Sequence, residues 1–435
     1  MRGTRAGRTV QQGLAVMVAL SLTALAAVGA DATVDRAPRP QAGDTLVGAA
    51  RGRLVAALGA AAWHRDGSRG QGVKVAVLDS GFRGYRSHLG HGLPARVTAR
   101  SFRGDGNLEA RDSQHGILCG EVIHALAPDA QLLFANWEPD RPEQFLAAVR
   151  WAREQGARVI SCSVIMPSWS DGEGNGPVHE GMRKVLGPGG EPRDLLCFAS
   201  AGNTAQRHWA GAAHADGSGW HEWAQGVVDN PVVPWDGDTV SVELCWPRGG
   251  EFELQVHDVA KGAAVGKAGR NPSGPRTCTV VRFDPEPGHL YAARVRATGG
   301  PAPFHLVALG ADLGHAVKRG SIPFPGDGPE VLAVGAVNEQ GRRAEYSSCG
   351  PNSARPKPDL VATVPFPCQG RSKPFGGTSA AAPQAAALAA LVWSRHPEWT
   401  ANQVREALVK SARDLAVPGH DIETGYGQIA LPAAK

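Results

Sequence analysis

VKVAVLDSG, residues 73–81, is the stretch that decides the fold. Its apolar and β-branched residues form a short, nearly continuous run, which predicts a strand at Val73–Leu78 that is buried on both faces of a parallel sheet. The run ends in Asp79, which is followed by Ser-Gly. Ligands bind at the carboxyl ends of such strands, so Asp79 is a candidate functional residue, although an aspartate before Ser-Gly can equally serve only to form a turn.

The same signal recurs along the chain and alternates with helical patterns. Apolar residues at helical spacing predict a helix at Pro142–Gln155, and Ala380–Trp393 is apolar on nearly all sides, which predicts a buried helix. A capping-box pattern at Thr400 opens a last helix that runs to about Ala412. Strands that alternate with helices predict an α/β fold with a doubly wound parallel sheet. Its further strands are predicted at Leu132–Ala135, Arg158–Ser163, Leu195–Ser200 and Val331–Val337.

Residues 205–322 break this alternation. Glycine and proline punctuate short alternating runs, and no segment with a helical period separates them. This pattern predicts an antiparallel β-sandwich inserted into the α/β domain, which then comprises residues 61–204 and 323–435. The predicted strands of the insert are Thr239–Cys245, Glu251–His257, Thr277–Phe283, Leu290–Ala297 and Pro303–Leu309.

The N-terminus has the features of a secretory signal. Three arginines precede an apolar stretch at Leu14–Val28, and small residues then allow cleavage after Ala30 or Ala32. Residues 1–30 are the predicted signal peptide, so we expect a secreted protein, extracellular or periplasmic. The alternative is an uncleaved membrane anchor, but the apolar run is shorter than the roughly 20 residues that span a bilayer. Residues 31–60 are interpreted as a linker or a short pro-segment.

The charge balance argues against nucleic acid as a partner. The formal net charge is +4, and three of the positive charges, Arg2, Arg5 and Arg8, lie in the predicted signal. The mature chain is therefore nearly neutral, without the basic surface that binds a polyanion. No membrane partner is expected after signal cleavage, and the oligomeric state is left open.

Seven cysteines occur, and export would allow disulfides to form. Cys245 with Cys278 and Cys349 with Cys368 are candidate pairs because each pair lies within one region of the sequence, but sequence does not fix the connectivity. The odd number leaves at least one thiol unpaired within the chain. No Cys-x-x-Cys pattern occurs, so a structural zinc site is not indicated.

Three further polar residues suit the chemistry of amide hydrolysis, which needs a nucleophile, a base, a group that orients the base and donors for the oxyanion. His115, in QHG, leads into an apolar helical stretch, and a helix N-terminus favours a neutral imidazole. Ser379, in GGTSAAAP, follows two glycines and precedes a helix that points free N–H groups towards it. Asn203 ends FASAGN at a strand's carboxyl end, where its amide can donate to an oxyanion.

Each of these residues also has a simpler interpretation. A surface histidine, a serine that caps a helix and an asparagine in a loop turn are all common. The capping interpretation explains Ser379 but not the two glycines before it.

Taken together, the segments resemble the subtilase (subtilisin-like) serine peptidases. The order Asp, His, Ser along the chain is that of subtilisin and differs from the orders in chymotrypsin and the α/β-hydrolases. The resemblance covers about Val73–Asn203 and Val331–Ala412, and GGTSAAAP is its most specific part. The matching stretches are VKVAVLDSG (73–81), QHG (114–116), VISCSV (159–164), FASAGN (198–203), VLAVGAV (331–337), KPDLV (357–361) and GGTSAAAP (376–383).

The resemblance implies a secreted serine endopeptidase that acts on protein or peptide substrates. Ser379 would attack the scissile carbonyl, His115 would take its proton and later protonate the leaving amine, and Asp79 would orient His115. Asn203 and the Ser379 amide would hold the oxyanion.

The resemblance also implies a substrate-binding site and a chemistry without a cofactor. Ser163 and Val164 would lie in the strand that pairs with the substrate, and Ala201 and Gly202 would line the neighbouring wall. No catalytic metal is expected. Structural calcium is common in the family, but we identify no ligand set for it here.

The sequence departs from the family pattern in several places. Ile117 follows His-Gly where the family usually has Thr, and Ala380 follows the serine where Met is common. The family's Ser-Leu-Gly substrate strand is Ser163-Val164-Ile165, and a branched residue in place of Gly narrows the expected pocket. The pro-segment is far shorter than the folding-assisting domain typical of the family.

Two other functions are less consistent with the sequence. A non-catalytic binding module would use the fold only as a scaffold, but a scaffold has no need to keep Asn203 and Ser379 together. An esterase or lipase needs a Gly-x-Ser-x-Gly elbow between a strand and a helix, and the sequence places none there.

Overall fold

The structure is a computed structural model that describes residues 42–235, 239–247, 249–266, 268–270, 278–300 and 302–432. The predicted signal peptide, residues 1–30, lies outside the described residues. In the stretch interpreted as a linker or pro-segment, the described part is mainly a helix at Ala42–Ala57. Within the described ranges, no helix is both long and apolar enough to cross a bilayer.

The predicted helices are confirmed. Pro142 stands in the first turn of its helix, where its missing N–H costs nothing. Thr400 and Gln403 form the predicted capping box, with the Thr400 N–H donating to Gln403 Oε1 at 2.8 Å. In the described residues the α-helices are α1 Ala42–Ala57, α2 Ala60–Arg65, α3 His115–Leu126, α4 Pro142–Glu154, α5 Pro177–Leu186, α6 Thr378–Arg395 and α7 Ala401–Ser411.

The strands include all those predicted from apolar runs and add several that were not. They are β1 Lys74–Leu78, β2 Val97–Ser101, β3 Gln131–Asn136, β4 Val159–Cys162, β5 Leu196–Ser200, β6 His208–Ala212, β7 Asn230–Pro234, β8 Val240–Cys245, β9 Phe252–Asp258, β10 Ala263–Ala264, β11 Gly269–Arg270, β12 Cys278–Phe283, β13 Tyr291–Ala297, β14 Pro303–Leu309, β15 Ala311–Leu313, β16 Leu332–Val337 and β17 Leu360–Thr363.

Seven strands form one parallel sheet, in the order β17-β16-β5-β4-β1-β3-β2. The first strand, β1, pairs with β3 on one side and with β4 on the other. The chain therefore builds the sheet outward from β1 in both directions. A crevice at the carboxyl ends is expected at such a switch point.

Both faces of the parallel sheet are covered by helices. Val75 and Val77 of β1 belong to a hydrophobic cluster that includes residues of α3 and α6. Ala76 and Leu78 belong to a second cluster that includes residues of α4 and α5. Because alternate side chains of one strand enter different clusters, the strand is buried on both sides, as its continuous apolar run predicts. The doubly wound α/β fold is confirmed.

Strands β6–β15 form two five-stranded antiparallel sheets. Their orders are β10-β9-β13-β7-β15 and β11-β12-β8-β14-β6. One hydrophobic cluster draws on both sheets and includes Val232, Val242, Val295, Phe304 and Leu306. In β9 the buried positions alternate with exposed or half-buried ones, as expected for a strand with one face on a core.

All seven cysteines are buried and free. Cys245 and Cys278 are cross-strand neighbours with their sulfur atoms 2.7 Å apart, without a disulfide. The predicted disulfide between Cys349 and Cys368 is also wrong, because both thiols are free and they have different neighbours. Cys349 Sγ contacts the Ser347 carbonyl at 3.6 Å, whereas burial and then the charge of Glu121 raise the pKa of Cys368 to about 12.

Candidate active site

Asp79 and His115 are hydrogen-bonded at the carboxyl end of β1. The Asp79 side chain is fully buried, and its Oδ1 accepts the N–H groups of Ser80 at 2.8 Å and Gly81 at 3.0 Å. Its Oδ2 lies 2.8 Å from His115 Nδ1. Because an ionised carboxylate can only accept hydrogen bonds, the proton of a neutral His115 ring is on Nδ1 and Nε2 is left as the base.

Two glycines allow this close approach. His115 is the first residue of α3, and the Gly81 carbonyl accepts the N–H of Gly116 at 2.8 Å, which ties the helix start to the turn after β1. A Cβ atom on Gly116 would lie 2.5 Å from the Phe82 ring and 2.8 Å from Asp79 Cβ. Any larger residue at 116 would therefore push the helix away from Asp79.

The environment of His115 shifts its pKa in opposite directions. Burial lowers the pKa of the imidazole, but the charge of Asp79 and the hydrogen bond to it outweigh that effect and leave the pKa above 6.5. The side chain is still 32% exposed. The ring can therefore be reached from the cleft and is protonated at mildly acidic pH.

Ser379 is the second residue of α6, which begins after Gly377. Gly377 has φ of 74°, a conformation that glycine adopts without strain. The Ser379 hydroxyl donates to the Ser163 carbonyl at 3.4 Å, and the Ser163 hydroxyl donates to the Ser379 carbonyl at 3.1 Å. Within the described residues, the Ser379 N–H has no hydrogen-bond acceptor, as expected in the first turn of a helix.

Cys119 shows how near Ser379 lies to the Asp79–His115 pair. Its Sγ is 3.9 Å from Asp79 Oδ2 and 3.8 Å from the Ser379 carbonyl oxygen. The structure thus brings Asp79, His115 and Ser379 to one place. It does not join the Ser379 hydroxyl to the imidazole, because in the described part of the chain that hydroxyl bonds to Ser163.

Asn203 is held beside the start of α6. Its Oδ1 accepts the N–H of Thr378 at 3.0 Å and the Thr378 hydroxyl at 2.9 Å. A backbone N–H can only donate, so the atom that faces it is the amide oxygen, and Nδ2 points the other way. A Cβ atom on Gly377 would be 3.1 Å from Nδ2. The amide nitrogen therefore lies close to the backbone that leads into Ser379.

Of the predicted substrate-binding residues, Ser163 contacts Ser379 and Gly202 contacts the neighbouring Thr378. Ser163 is buried against Ser379, and Val164 is half-buried. The N–H of Ala201 donates to the Val334 carbonyl at 3.0 Å. The N–H of Gly202 donates to Thr378 Oγ1 at 3.2 Å, and its carbonyl accepts from Ser348. These groups of Ala201 and Gly202 are therefore engaged within the protein, and their role in substrate binding stays a prediction.

Two residues of the site were missed from the sequence. Cys119 follows His115 by four positions on α3, a spacing that places both on one helix face and that could have indicated it. The Phe375 ring meets the His115 ring edge-on, with centroids 5.5 Å apart and planes at 84°. No sequence signal singles out Phe375.

Among the described residues, one group of three side chains could in principle bind a metal ion. It consists of Asp79, His115 and Cys119, whose donor atoms lie within 4.8 Å of one another. Burial, and then the charge of Asp79, raise the pKa of Cys119 well above its usual value. A thiol that stays protonated is a poor metal ligand, since the thiolate is the ligating form.

One of the two antiparallel sheets, the one that contains β8 and β12, contacts the turn that follows β4. Glu243 of β8 accepts the N–H of Ser168 at 2.8 Å, and Cys278 of β12 contacts the Ser170 carbonyl at 2.7 Å. Ser163, four residues before this turn begins at Pro167, touches Ser379. The insert therefore supports the segment that leads away from the candidate site.

Comparison with known proteins gives matches to one family. The profile of the subtilase family matches residues 70–231 and 291–427. The gap between these two matched segments, residues 232–290, lies within the insert. Subtilisin E of Bacillus subtilis (strain 168) is 34% identical over 131 residues, which are 30% of this chain and 33% of the relative. A subtilisin of Bacillus pumilus is also 34% identical over 131 residues, with 46% of the relative covered. The chain therefore aligns with between a third and a half of the length of these relatives.

A solved structure extends the match in fold. The CspB protease of Clostridium perfringens superposes with a TM-score of 0.60 at 15% identity, over 85% of this chain and 95% of that one. At this identity the likeness shows a shared fold.

Proposed function

The chain belongs to the subtilase family, and on that premise we propose that it is a secreted serine endopeptidase with Asp79, His115 and Ser379 as its catalytic triad. The observation that carries the proposal is the 2.8 Å hydrogen bond between His115 Nδ1 and the buried Asp79 carboxylate, with Ser379 at the adjacent helix start. This arrangement leaves Nε2 of the imidazole as the base for the serine.

In the proposed reaction, Ser379 Oγ attacks the carbonyl carbon of the scissile peptide bond while its proton passes to His115 Nε2. The same proton then goes to the leaving amine as the C–N bond breaks, which gives an acyl-enzyme. Water, deprotonated by His115, then attacks the ester carbonyl; the bond between Ser379 Oγ and the acyl carbon breaks, the proton passes from His115 to Oγ, and the carboxylic acid product leaves. Asp79 stabilises the imidazolium that forms in each step.

Two donors are proposed for the oxyanion. The Ser379 N–H has no acceptor within the described residues, and Asn203 Nδ2 is turned away from Thr378. Donors that are already held in place stabilise developing charge without reorganisation. Thr378 donates its hydrogen bonds to the amide oxygen of Asn203, so the amide nitrogen stays available to donate to the oxyanion.

The Ser379 hydroxyl must turn before it can react. It now donates to the Ser163 carbonyl at 3.4 Å. Rotation about the Cα–Cβ bond would move Oγ towards the imidazole without any change in the backbone. Catalytic hydrogen bonds are often loose in the absence of substrate and tighten in the complex.

The substrates are proposed to be proteins or peptides bound along Ser163 and Val164. Ile165 stands where a glycine is usual, which favours a narrow pocket. The two antiparallel sheets are proposed to form a β-sandwich that lies behind the segment Ser163–Val164. In support, Glu243 of the insert accepts a hydrogen bond from Ser168, in the turn that follows this segment.

Labelling with a serine-directed fluorophosphonate tests the proposal. We expect the mature protein to be labelled at Ser379, and Ser379→Ala to abolish labelling while the variant remains folded. Ser218→Ala, at an exposed serine of the insert, is the matched control and should be labelled as well as the wild type. A folded wild type that neither takes the label nor cleaves an unfolded protein would favour the scaffold alternative.

A further inference from the structure

Arg371 joins the loop before Ser379 to the helix that begins at His115. Its guanidinium donates to both carboxylate oxygens of Glu121 at distances of 2.6 to 3.2 Å. It also donates to Gln114 Oε1 at 2.5 Å. Glu121 is a residue of α3, and Gln114 immediately precedes that helix. A guanidinium has a planar set of donors, so these contacts fix its direction as well as its position.

This ion pair is shielded from water. The Glu121 side chain is 1% exposed and that of Arg371 is 17% exposed. His88 Nδ1 lies 3.5 Å from Glu121 Oε1, but burial and then the Arg371 charge lower the pKa of His88. Arg371 is therefore the cation that balances Glu121, and its loss would leave a buried carboxylate without one.

The loop that carries Arg371 ends against the imidazole. Phe366 and Phe375 exchange two backbone hydrogen bonds, of 2.7 and 2.8 Å, which close the loop 366–375. Phe375 is 8% exposed, and its ring forms the edge-on contact with His115. The chain then passes through two glycines to Ser379, so a shift of this loop would move a surface on which the imidazole rests.

We propose that Arg371 is a positioning residue for His115. By tying the loop 366–375 to α3, it keeps the Phe375 ring against the imidazole and so keeps His115 aligned between Asp79 and Ser379. The proposal rests on the proposed function, in which His115 is the base. Because the contact acts on the base and not on the substrate, its loss should lower kcat and leave KM nearly unchanged.

The test compares four variants of the full chain with a matched ion-pair control. The variants are Arg371→Gln, Arg371→Lys, Phe375→Ala and the double variant Arg371→Gln/Phe375→Ala. The control is Arg69→Gln, which breaks the 2.8 Å pair of Arg69 and Asp129, whose side chains are 43% and 44% exposed. We would measure kcat and KM on a peptide substrate at a temperature where thermal melting shows every variant folded.

We expect Arg371→Gln to lower kcat by about tenfold to a hundredfold, with KM within about twofold, because small misplacements of a catalytic group have effects of this size. Arg371→Lys should lower kcat less than Arg371→Gln does, because lysine keeps the positive charge but lacks the planar set of N–H donors of the guanidinium. The double variant should be no worse than the more impaired single variant, because both act through one contact. Arg69→Gln should match the wild type.

A kcat of Arg371→Gln within about twofold of wild type, or losses that multiply in the double variant, would overturn the proposal. A second measurement does not depend on turnover. In ¹⁵N-histidine-labelled protein, the Nδ1–H signal of His115 should be sharp in wild type and in Arg69→Gln but broadened or lost in Arg371→Gln. An unchanged signal would refute the positioning role. If the wild type has no turnover, the proposed function fails, and this signal still decides the role of Arg371.

Discussion

Asn203 Oδ1 accepts two hydrogen bonds from Thr378, one from the N–H at 3.0 Å and one from the hydroxyl at 2.9 Å. The residue that precedes the proposed nucleophile thus orients the proposed oxyanion donor. The proposed attack and the proposed charge stabilisation therefore depend on the same helix start.

The first prediction concerns this donor. Asn203→Ala should lower kcat by roughly a hundredfold to a thousandfold with little change in KM, because the donor acts on charge that develops in the transition state; this magnitude is the one known for subtilisin itself. Thr378→Val keeps the N–H donor and removes the hydroxyl, so its loss should be smaller. Steady-state kinetics would check both, and equal losses in the two variants would contradict the assignment.

The triad should behave as a unit. His115→Ala and Ser379→Ala should each lower kcat by several orders of magnitude, and the double variant should be hardly worse than either. The measurement is turnover of a sensitive peptide substrate by highly purified variants, since trace wild type would mask the result. Independent, multiplying losses would show that the two residues do not share one step.

The pH dependence should reflect His115. Only its neutral form can accept a proton, and its pKa is raised above 6.5, so kcat/KM should fall as the pH drops through an apparent pKa above that value. Asp79→Asn should shift this limb to lower pH, because the charge that raises the pKa is gone while burial remains, and should lower kcat by about 10⁴-fold. Asp129→Asn, at an exposed carboxylate, serves as control. An acidic limb that does not move in Asp79→Asn would refute the pairing.

Stability at alkaline pH should depend on His179. Its ring is buried between Asp327 and Glu330, and although burial lowers its pKa, these carboxylates raise it to about 9. The folded pKa is above the unfolded value near 6.5, so the stabilisation is complete below that pH and is lost as the pH rises through about 9. The effect is on the order of 3 kcal/mol. Denaturant unfolding between pH 6 and 10 should show a steep loss in wild type and a flatter curve in His179→Gln; parallel curves would be the contrary result.

Gly116 should be intolerant of a side chain. Gly116→Ala would bring Cβ to 2.5 Å from the Phe82 ring, so we expect a loss of about 1–3 kcal/mol in the free energy of unfolding together with reduced kcat. Gly52→Ala, in the exposed part of α1 where nothing lies within 4 Å of the new Cβ, should instead stabilise by about 0.5–1 kcal/mol. Thermal and urea unfolding would check both, and a Gly116→Ala variant as stable and active as wild type would show that the helix start can move.

The central strands could be predicted because each is a short run of mainly apolar residues, which indicates burial on both faces of a sheet. Val73–Leu78 is apolar except at Lys74, and the structure buries Val75–Leu78 on both faces of the sheet. The edge strand Val97–Ser101 has mostly exposed side chains, so neither a continuous run nor an alternation marked it. Helix Pro177–Leu186 was also missed, because Gly181 stands inside this short segment and Gly176 and Gly187 flank it, which together resemble a loop.

The proposed triad could be found from the sequence because each member lies in a distinctive local segment. The contacts that align it could not be found in that way. Arg371 and Glu121 are far apart along the chain, and nothing near either residue distinguishes it from other charged residues. Phe375 is likewise not distinguished in the sequence from other aromatic residues, because its contact with His115 depends on the folded loop 366–375.

The interleaving of the site along the chain has a consequence for newly made copies. Asp79, Ser163 and Asn203 follow β1, β4 and β5, whereas Ser379 arrives only after the whole insert and β17 have been synthesised. No contiguous fragment that ends before α6 contains the proposed nucleophile, and contacts between such distant segments form late and slowly. A nascent copy would therefore lack the proposed peptidase activity until α6 has been synthesised and has packed against the parallel sheet.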